Sequence, residues 1–273
     1  MVAQMTEFET VRYEIADGIG WVTLDRPDVM NAFNDTMLEE ISSIWAAMRD
    51  DDKVRCAVLT GSGDRAFCTG VDRSEIGTDA TATGGRFDAS SIDYDDPGTK
   101  LGPKRNEMWK PVIAAINGIA CGGALYLLAE SDILIAAEGA TFFDPHVTYG
   151  MPASYESMLM VGRMPIGELL RMQLTGAAER ISAQRAYEIG LVSEVVPLAD
   201  LPAAAARLAA TIAASPPAAV QATLRAVWAA VDLGRRQALD MAYSFIAMGM
   251  TAQSLADGQR RFESGERIDW RLR

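Results

Sequence analysis

The chain predicts an α/β fold with a helical C-terminal third, and three observations carry the prediction. Short apolar runs of strand length, many of them β-branched, recur through the first two-thirds. Amphipathic stretches of helical period fall between them. Beyond about residue 198 the strand-like runs give way to alanine- and leucine-rich helical ones. A chain of 273 residues with 49% hydrophobic content suits one large domain, or a domain with a smaller appendage. We divide it into a core over residues 1–198 and a helical region over residues 199–273.

In chain order, residues 11–15 alternate as a half-buried strand, Asp17-Gly18 is a hairpin turn, and residues 19–24 return. Arg26-Pro27 breaks that strand. Asn34 and Asp35 are candidate caps of a helix whose apolar face is Leu38, Ile41, Trp45 and Met48, ending near Asp50. Residues 54–60 form the next strand, and a glycine-punctuated loop, residues 61–72, follows it. Over residues 73–99 Gly, Thr, Asp and Ser dominate, which reads as a long mobile loop of the kind that covers a site. Residues 100–108 regain a helical texture. Residues 112–116 read as a buried parallel-type strand, Asn117-Gly118 and Gly122-Gly123 mark a sharp turn, and a helix starts near Gly122 or Gly123. Residues 140–143 are a short strand delivering Asp144-Pro145-His146. Helices are expected over residues 155–160 and 166–174, then from a Ser182 cap to Gly190, and residues 191–196 are a strand-like exit. Asp200 caps a helix over 201–214, Ser215-Pro216-Pro217 opens one over 218–230, and a long helical segment runs from about 235 to 255.

Several classes are excluded. The net charge of −12 argues against a nucleic-acid surface, while leaving room for an anionic small ligand held by a local basic cluster. No apolar run reaches membrane-spanning length, so no membrane partner is expected. The N-terminus has neither a basic start nor an apolar signal core, so no secretory peptide is expected. Three cysteines without metal-like spacing read as reduced thiols in a cytoplasmic protein. A single histidine, His146, rules out a multi-histidine metal site, and no metal is expected.

The two glycine-rich turns point to chemistry. Without side chains at Gly122 and Gly123, a ligand can approach the free backbone N–H groups of a helix N-terminus, which stabilise a developing negative oxygen. That would be half of an oxyanion hole; a tight strand-to-helix turn of an ordinary α/β protein is the alternative. The loop at residues 61–72 can likewise present N–H groups. It has neither the Gly-Lys-Ser/Thr of a Walker A loop nor the glycine spacing of a dinucleotide fingerprint.

Taken together, Leu24-Asp25-Arg26-Pro27 with Asn31-Ala32-Phe33, Ala66-Phe67-Cys68-Thr69-Gly70-Val71-Asp72, residues 110–118 with Gly122-Gly123, and Leu174-Thr175-Gly176 with residues 181–186 and Gly190-Leu191-Val192 resemble the crotonase, or enoyl-CoA hydratase/isomerase, superfamily. The resemblance spans about residues 11–262. It implies a spiral of β-β-α units with a helical C-terminal region used in trimerisation, giving a homotrimer or a dimer of trimers. It implies an acyl-CoA thioester substrate, with coenzyme A entering as part of the substrate and no separate cofactor. The family's two oxyanion-hole N–H groups fall at Val71 and Gly123, where they would grip the thioester carbonyl and stabilise an enolate-like intermediate. Arg26, Val29, Met30, Cys68 and Asp72 lie in segments that line the family's CoA site, as does Gly122. Arg73, Lys104 and Arg105 are candidate phosphate partners by charge, with a solvated surface role as the alternative for each.

The departures from the family pattern concern its acid–base pair. The positions where hydratases of the family carry glutamates are Tyr126 and His146 here. Histidine titrates near neutrality and can serve as acid or base. Tyrosine ionises near pH 10, so Tyr126 is a poor base that would donate a hydrogen bond or shape the pocket. Asp144 and Glu156 are the carboxylates nearest to His146 in sequence, and either could orient its ring. Cys68 and Cys121 read as small apolar fillers, with nothing adjacent in sequence to activate a thiolate. The expected function is therefore that of an enoyl-CoA hydratase-like enzyme with a changed acid–base pair. The alternatives are C–C hydrolysis of a β-keto acyl-CoA, another enolate reaction such as isomerisation or decarboxylation, or acyl-CoA binding without catalysis.

Overall fold

In a computed structural model of the chain, the described residues are 4–74, 96, 98–265, 267 and 270–272. The loop expected over residues 73–99 therefore lies almost wholly outside the described residues. The chain resolves into two units, Met1–Ile212 and Ala213–Arg273.

The first unit holds two sheets. Strands β1 (Gln4–Glu7), β2 (Val11–Ala16), β3 (Ile19–Leu24), β4 (Cys56–Gly61), β6 (Val112–Ile116), β8 (Ile133–Ala137) and β11 (Glu194–Val196) lie side by side in that order. The first three pair antiparallel and the rest parallel. The second sheet has the order β10 (Ile181–Ser182), β9 (Thr141–Phe143), β7 (Ile119–Cys121), β5 (Ala66–Cys68). Here β5, β7 and β9 are parallel, and β10 runs antiparallel to β9.

Each pair β4–β5, β6–β7 and β8–β9 leaves the large sheet and enters the small one through a short corner. Helix α1 (Asp35–Asp50) lies between β3 and β4, α2 (Gly98–Leu101) precedes β6, α3 (Ala124–Glu130) follows β7, and α4 (Tyr155–Met160) follows β9. This repeated β-β-α path is the spiral that the resemblance to the crotonase superfamily implies. Asn117 fixes the middle corner. Its Oδ1 accepts the N–H of Gly61 at 3.2 Å, and its Nδ2 donates to the carbonyls of Gly63 and Ala66 at 3.0 and 3.1 Å. Gly118 is required beside it, because a Cβ there would lie 2.4 Å from the Arg65 carbonyl oxygen.

The core is the apolar face of α1 against the large sheet. Asn34 caps the helix through the N–H of Met37, and Met37, Leu38, Ile41, Ile44, Trp45 and Met48 are buried. The Trp45 indole N–H donates to the Leu101 carbonyl at 2.9 Å, so this large side chain is buried with its one donor satisfied.

The remaining helices are α5 (Ile166–Thr175), α6 (Ala183–Glu188), α7 (Leu201–Ala213), α8 (Pro217–Asp232), α9 (Arg235–Asp240), α10 (Ala242–Gly249) and α11 (Ala252–Glu263). Helix α7, which the sequence places in the C-terminal region, belongs to the first unit except for its last residue. It buries Leu201, Ala204, Ala205 and Ala209 there, and the Cys56 thiol donates to the Ala209 carbonyl.

Two helical expectations are corrected. Residues 100–108 are helical only to Leu101; Gly102-Pro103 ends the helix, and the Asn106 amide takes up the freed carbonyls of Lys100 and Gly102. The segment 235–255 is three helices rather than one. It breaks at Met241 and again at Thr251, where Thr251 and Ser254 exchange side-chain and backbone hydrogen bonds in a capping box that starts α11.

Candidate active site

The parallel strands β5, β7 and β9 end side by side, and the segments leaving their C-terminal ends build one site. Val71 follows β5, Gly122-Gly123 follow β7, and Asp144-Pro145-His146 follow β9. Carboxyl ends of parallel strands are where chain segments diverge and leave a crevice.

Phe33 anchors the first segment. Its N–H donates to the Gly70 carbonyl at 2.9 Å and its carbonyl accepts the Asp72 N–H at 2.8 Å. This clamp brackets Val71 without using the Val71 N–H. Gly70 adopts φ +84°, and a Cβ there would lie 2.8 Å from the Gly123 nitrogen. A Cβ at Gly123 would itself lie 2.6 Å from the Phe33 ring. Only glycines let these two backbones approach so closely. Gly123 caps α3, whose first intrahelical bonds leave its own N–H unused. Among the described residues, neither the Val71 nor the Gly123 N–H donates to a backbone acceptor. The result is two open donors on adjoining turns, one of them at a helix N-terminus.

His146 stands next to them. A Cβ on Gly122, which adopts φ +55°, would lie 3.9 Å from the His146 Cε1 and 3.6 Å from the Pro145 ring. The half-buried imidazole is held on its Nδ1 side by Asp144, whose Oδ1 lies 2.5 Å away and also accepts the His146 backbone N–H at 3.0 Å. Asp144 is fully buried, and its Oδ2 has no hydrogen-bond partner among the described residues, so its side chain is held to the site through Oδ1. That hydrogen bond raises the His146 pKa above the usual histidine range, against the opposing effect of burial. On the Nε2 side Glu156 Oε1 lies 3.6 Å away. This is an electrostatic neighbour beyond hydrogen-bond reach, so Nε2 stays open to a water or a substrate atom.

Glu156 is buried on α4, and burial raises its pKa. The Tyr126 hydroxyl hydrogen-bonds Glu156 and Asp96, and burial between these carboxylates drives the phenol pKa far up, so Tyr126 stays neutral. Asp96, 1% exposed, is a member of this cluster that sequence reasoning missed. Its Oδ1 accepts the Gly98 N–H at 3.2 Å at the start of α2, and Arg105 approaches its Oδ2 at 3.5 Å. An acidic residue just ahead of a glycine-opened helical turn was the available signal.

The other sequence-derived residues divide. Arg26 donates to the Ala32 carbonyl at 2.7 Å and pairs with Asp72 at 2.9 Å, so both are engaged in holding the Val71 segment. Val29 is exposed, and Met30 adopts a left-handed conformation after the short turn Pro27–Val29. Cys68 is wholly buried, its thiol pushed up to about 12 by that burial, so its side chain meets no ligand; Cys121 is likewise buried and at about 12. Arg73 stacks on the Tyr149 ring, 4.4 Å from its centroid. Lys104 is corrected: it is buried in an ion pair with Asp132 at 2.8 Å and does not reach a ligand. Arg105 is tied to Asp96 and to Glu130 at 3.7 Å, so it too serves the interior.

The model of the enoyl-CoA hydratase/isomerase family matches residues 14–271. The chain belongs to the enoyl-CoA hydratase/isomerase family, the crotonase superfamily, and is an enoyl-CoA hydratase-like enzyme of acyl-CoA esters. It is 36% identical over 226 residues to an (E)-benzylidenesuccinyl-CoA hydratase of Thauera aromatica, covering 82% of this chain and 84% of that one. It is 31% identical to a short-chain-enoyl-CoA hydratase of Clostridium acetobutylicum, covering 88% and 87%. Among solved structures it is similar to an enoyl-CoA hydratase/isomerase from Mycobacterium paratuberculosis, with a TM-score of 0.84 at 34% identity over 98% of this chain and 100% of the other.

Proposed function

We propose that the protein adds water across the double bond of a 2-enoyl-CoA thioester, and runs the reverse dehydration, with His146 and Glu156 as its acid–base pair. The observation that carries this reading is the open His146 Nε2 facing the buried Glu156 carboxylate at 3.6 Å, beside the Gly122-Gly123 turn. The thioester carbonyl accepts the Val71 and Gly123 N–H groups. Ionised Glu156 takes a proton from water as its oxygen bonds to C3. The double-bond electrons move onto the carbonyl, and the two N–H groups stabilise the resulting enolate. Protonated His146 then delivers a proton from Nε2 to C2, and transfer from Glu156 to His146 across the short gap resets the pair. Asp144 keeps the imidazole protonated and oriented. In this reading His146 and Tyr126 occupy the positions where hydratases of the family carry glutamates.

The names of both relatives above, each a hydratase, support hydration as the reaction. Coenzyme A enters as part of the substrate, and no separate cofactor takes part. Three buried free cysteines fit the reducing cytoplasm. The exposed apolar residues of the C-terminal helices fit a homotrimer or a dimer of trimers.

The test is incubation of the purified protein in isotopically labelled water with a panel of CoA esters, read by mass spectrometry. The panel holds 2-enoyl chains, an aryl enoyl ester and a cyclic β-keto ester. Gain of one labelled water by an enoyl ester, lost in His146→Ala, supports the reading. Reaction of the β-keto ester alone would replace it with C–C hydrolysis. Binding without turnover would favour an acyl-CoA-binding protein, a reading supported by the non-titrating Tyr126.

A further inference from the structure

The cations around the site are not equivalent. Arg26 is neutralised by Asp72, Lys104 by Asp132, and Arg105 by Asp96 and Glu130. Arg73 is exposed, and among the described residues no carboxylate pairs with it. Its guanidinium instead lies over the ring of Tyr149, an exposed side chain, 4.4 Å from the centroid. A guanidinium stacked in this way keeps its edge N–H groups open for two parallel hydrogen bonds to a carboxylate.

The position of this pair sets which part of a ligand it meets. Arg73 is two residues beyond the open Val71 N–H, at most about 7 Å along the chain. Tyr149 closes the 3-10 turn His146–Tyr149 that opens with the acid–base histidine, about 6 Å away along that turn. The charge of Arg73 is felt at the His146 ring. A thioester carbonyl held by Val71 and Gly123, with its C2 and C3 facing His146, would direct its acyl end toward Arg73, whose charge reaches that ring. The CoA phosphates lie the length of the pantetheine arm away. Asp144 and Glu156 would repel an acidic acyl group here, and the charge of Arg73, which reaches the His146 ring, would offset part of that repulsion.

We propose that Arg73, held over the Tyr149 ring, is a specificity residue that binds a second carboxylate on the acyl group, so that the substrate is the CoA half-ester of a dicarboxylic acid. The inference rests on the CoA-ester reading given above.

The experiment compares two esters that differ only in a methyl or a carboxylate at the acyl terminus, butyryl-CoA and succinyl-CoA. Their affinities are measured by calorimetry on the full-length protein and on Arg73→Gln, Arg73→Lys and Tyr149→Ala. The wild type is expected to prefer succinyl-CoA by about 10- to 100-fold. Arg73→Gln should erase the preference, Arg73→Lys should keep part of it, and Tyr149→Ala should weaken it. Equal affinity of the wild type for both esters overturns the carboxylate assignment and leaves the CoA-ester reading standing. An equal loss for both esters and for free CoA in Arg73→Gln also overturns it, assigning Arg73 to a CoA phosphate. Failure of the wild type to bind any of the three overturns both readings together. A thermal melt of each variant confirms that it is folded.

Discussion

Asp144 and His146 are joined twice through a single oxygen: Asp144 Oδ1 lies 2.5 Å from the imidazole Nδ1 and accepts the backbone N–H of the same residue at 3.0 Å. The carboxylate thus fixes both where the ring stands and which nitrogen faces the site. It also raises the pKa of the ring, because the charged imidazolium is the better partner for a buried carboxylate.

That shift has a definite sign for stability. The folded-state pKa of His146 lies above its unfolded value, so the contribution of the pair is full below the unfolded imidazole range near 6.5 and is lost as pH rises through the higher folded value. Thermal melts from about pH 6 to about pH 9 should show a decline that is absent from His146→Gln and Asp144→Asn. His146→Ala should lower turnover of a reactive ester by about 10²- to 10⁴-fold with binding retained.

Glu156 shows the cost of keeping a carboxylate buried. Its pKa is raised chiefly by burial, so the ionised form destabilises the fold as pH rises from the unfolded carboxylate range through the raised folded value. Glu156→Gln removes that loss. Its melting temperature should exceed that of the wild type by more at pH 8 than at pH 5, while its turnover falls. A variant less stable than the wild type at pH 8 would show that the carboxylate is structurally required.

Gly70 and Gly122 both have positive φ, yet their variants should differ. A Cβ at Gly70 meets the Gly123 nitrogen at 2.8 Å, a backbone atom that cannot yield without moving the open N–H. Gly70→Ala should cost about 10²- to 10³-fold in kcat. At Gly122 the nearest atom is 3.6 Å away, so Gly122→Ala bears mainly the left-handed backbone penalty of about 1–2 kcal/mol and should lose less activity. Steady-state kinetics and melts on the two variants separate these effects.

Lys104 tests interior against ligand roles. Its ammonium pairs with Asp132, which also accepts the Val112 N–H at 2.7 Å, and burial lowers its pKa. Lys104→Met leaves Asp132 buried without this partner and should cost about 3–5 kcal/mol. The affinity for free CoA should be unchanged within error. A selective loss of CoA affinity in a variant of normal stability would restore the phosphate role.

Assembly is tested on α10, whose Tyr243, Ile246 and Met248 are exposed at 79%, 50% and 50%. Apolar side chains so exposed make this face a candidate for burial against another copy of the chain. Light scattering should give a trimer or its double, and Ile246→Asp should shift the mass toward the monomer. A wild type that is monomeric at micromolar concentration would refute this.

Strands β2, β3, β4, β6, β9 and β11, the corner at Asn117-Gly118, the cap at Asn34 and the glycines at 70, 122 and 123 were legible in the sequence, because each depends on its immediate neighbours, whereas β5 and β7 fall in segments read as a loop and a turn. Apolar period marks a strand or a helix face, and a positive φ or a close backbone approach demands glycine at that position. The break at Thr251 was equally local, but Ser254 in place of Glu or Gln hid the capping box.

The sequence by itself thus determined the alternating architecture, the family and the two backbone turns that leave Val71 and Gly123 with open donors. Only the tertiary structure decided which side chains meet there. Asp96 comes under Tyr126 from thirty residues upstream, and Glu156 turns inward to face His146 from a separate helix. Lys104 points to Asp132, whereas Arg73 lies across Tyr149 with no acid to neutralise it among the described residues. The reason is physical. Period and backbone conformation are encoded within a few residues, but the burial and partner of a charge are set by strand register and helix packing between distant segments.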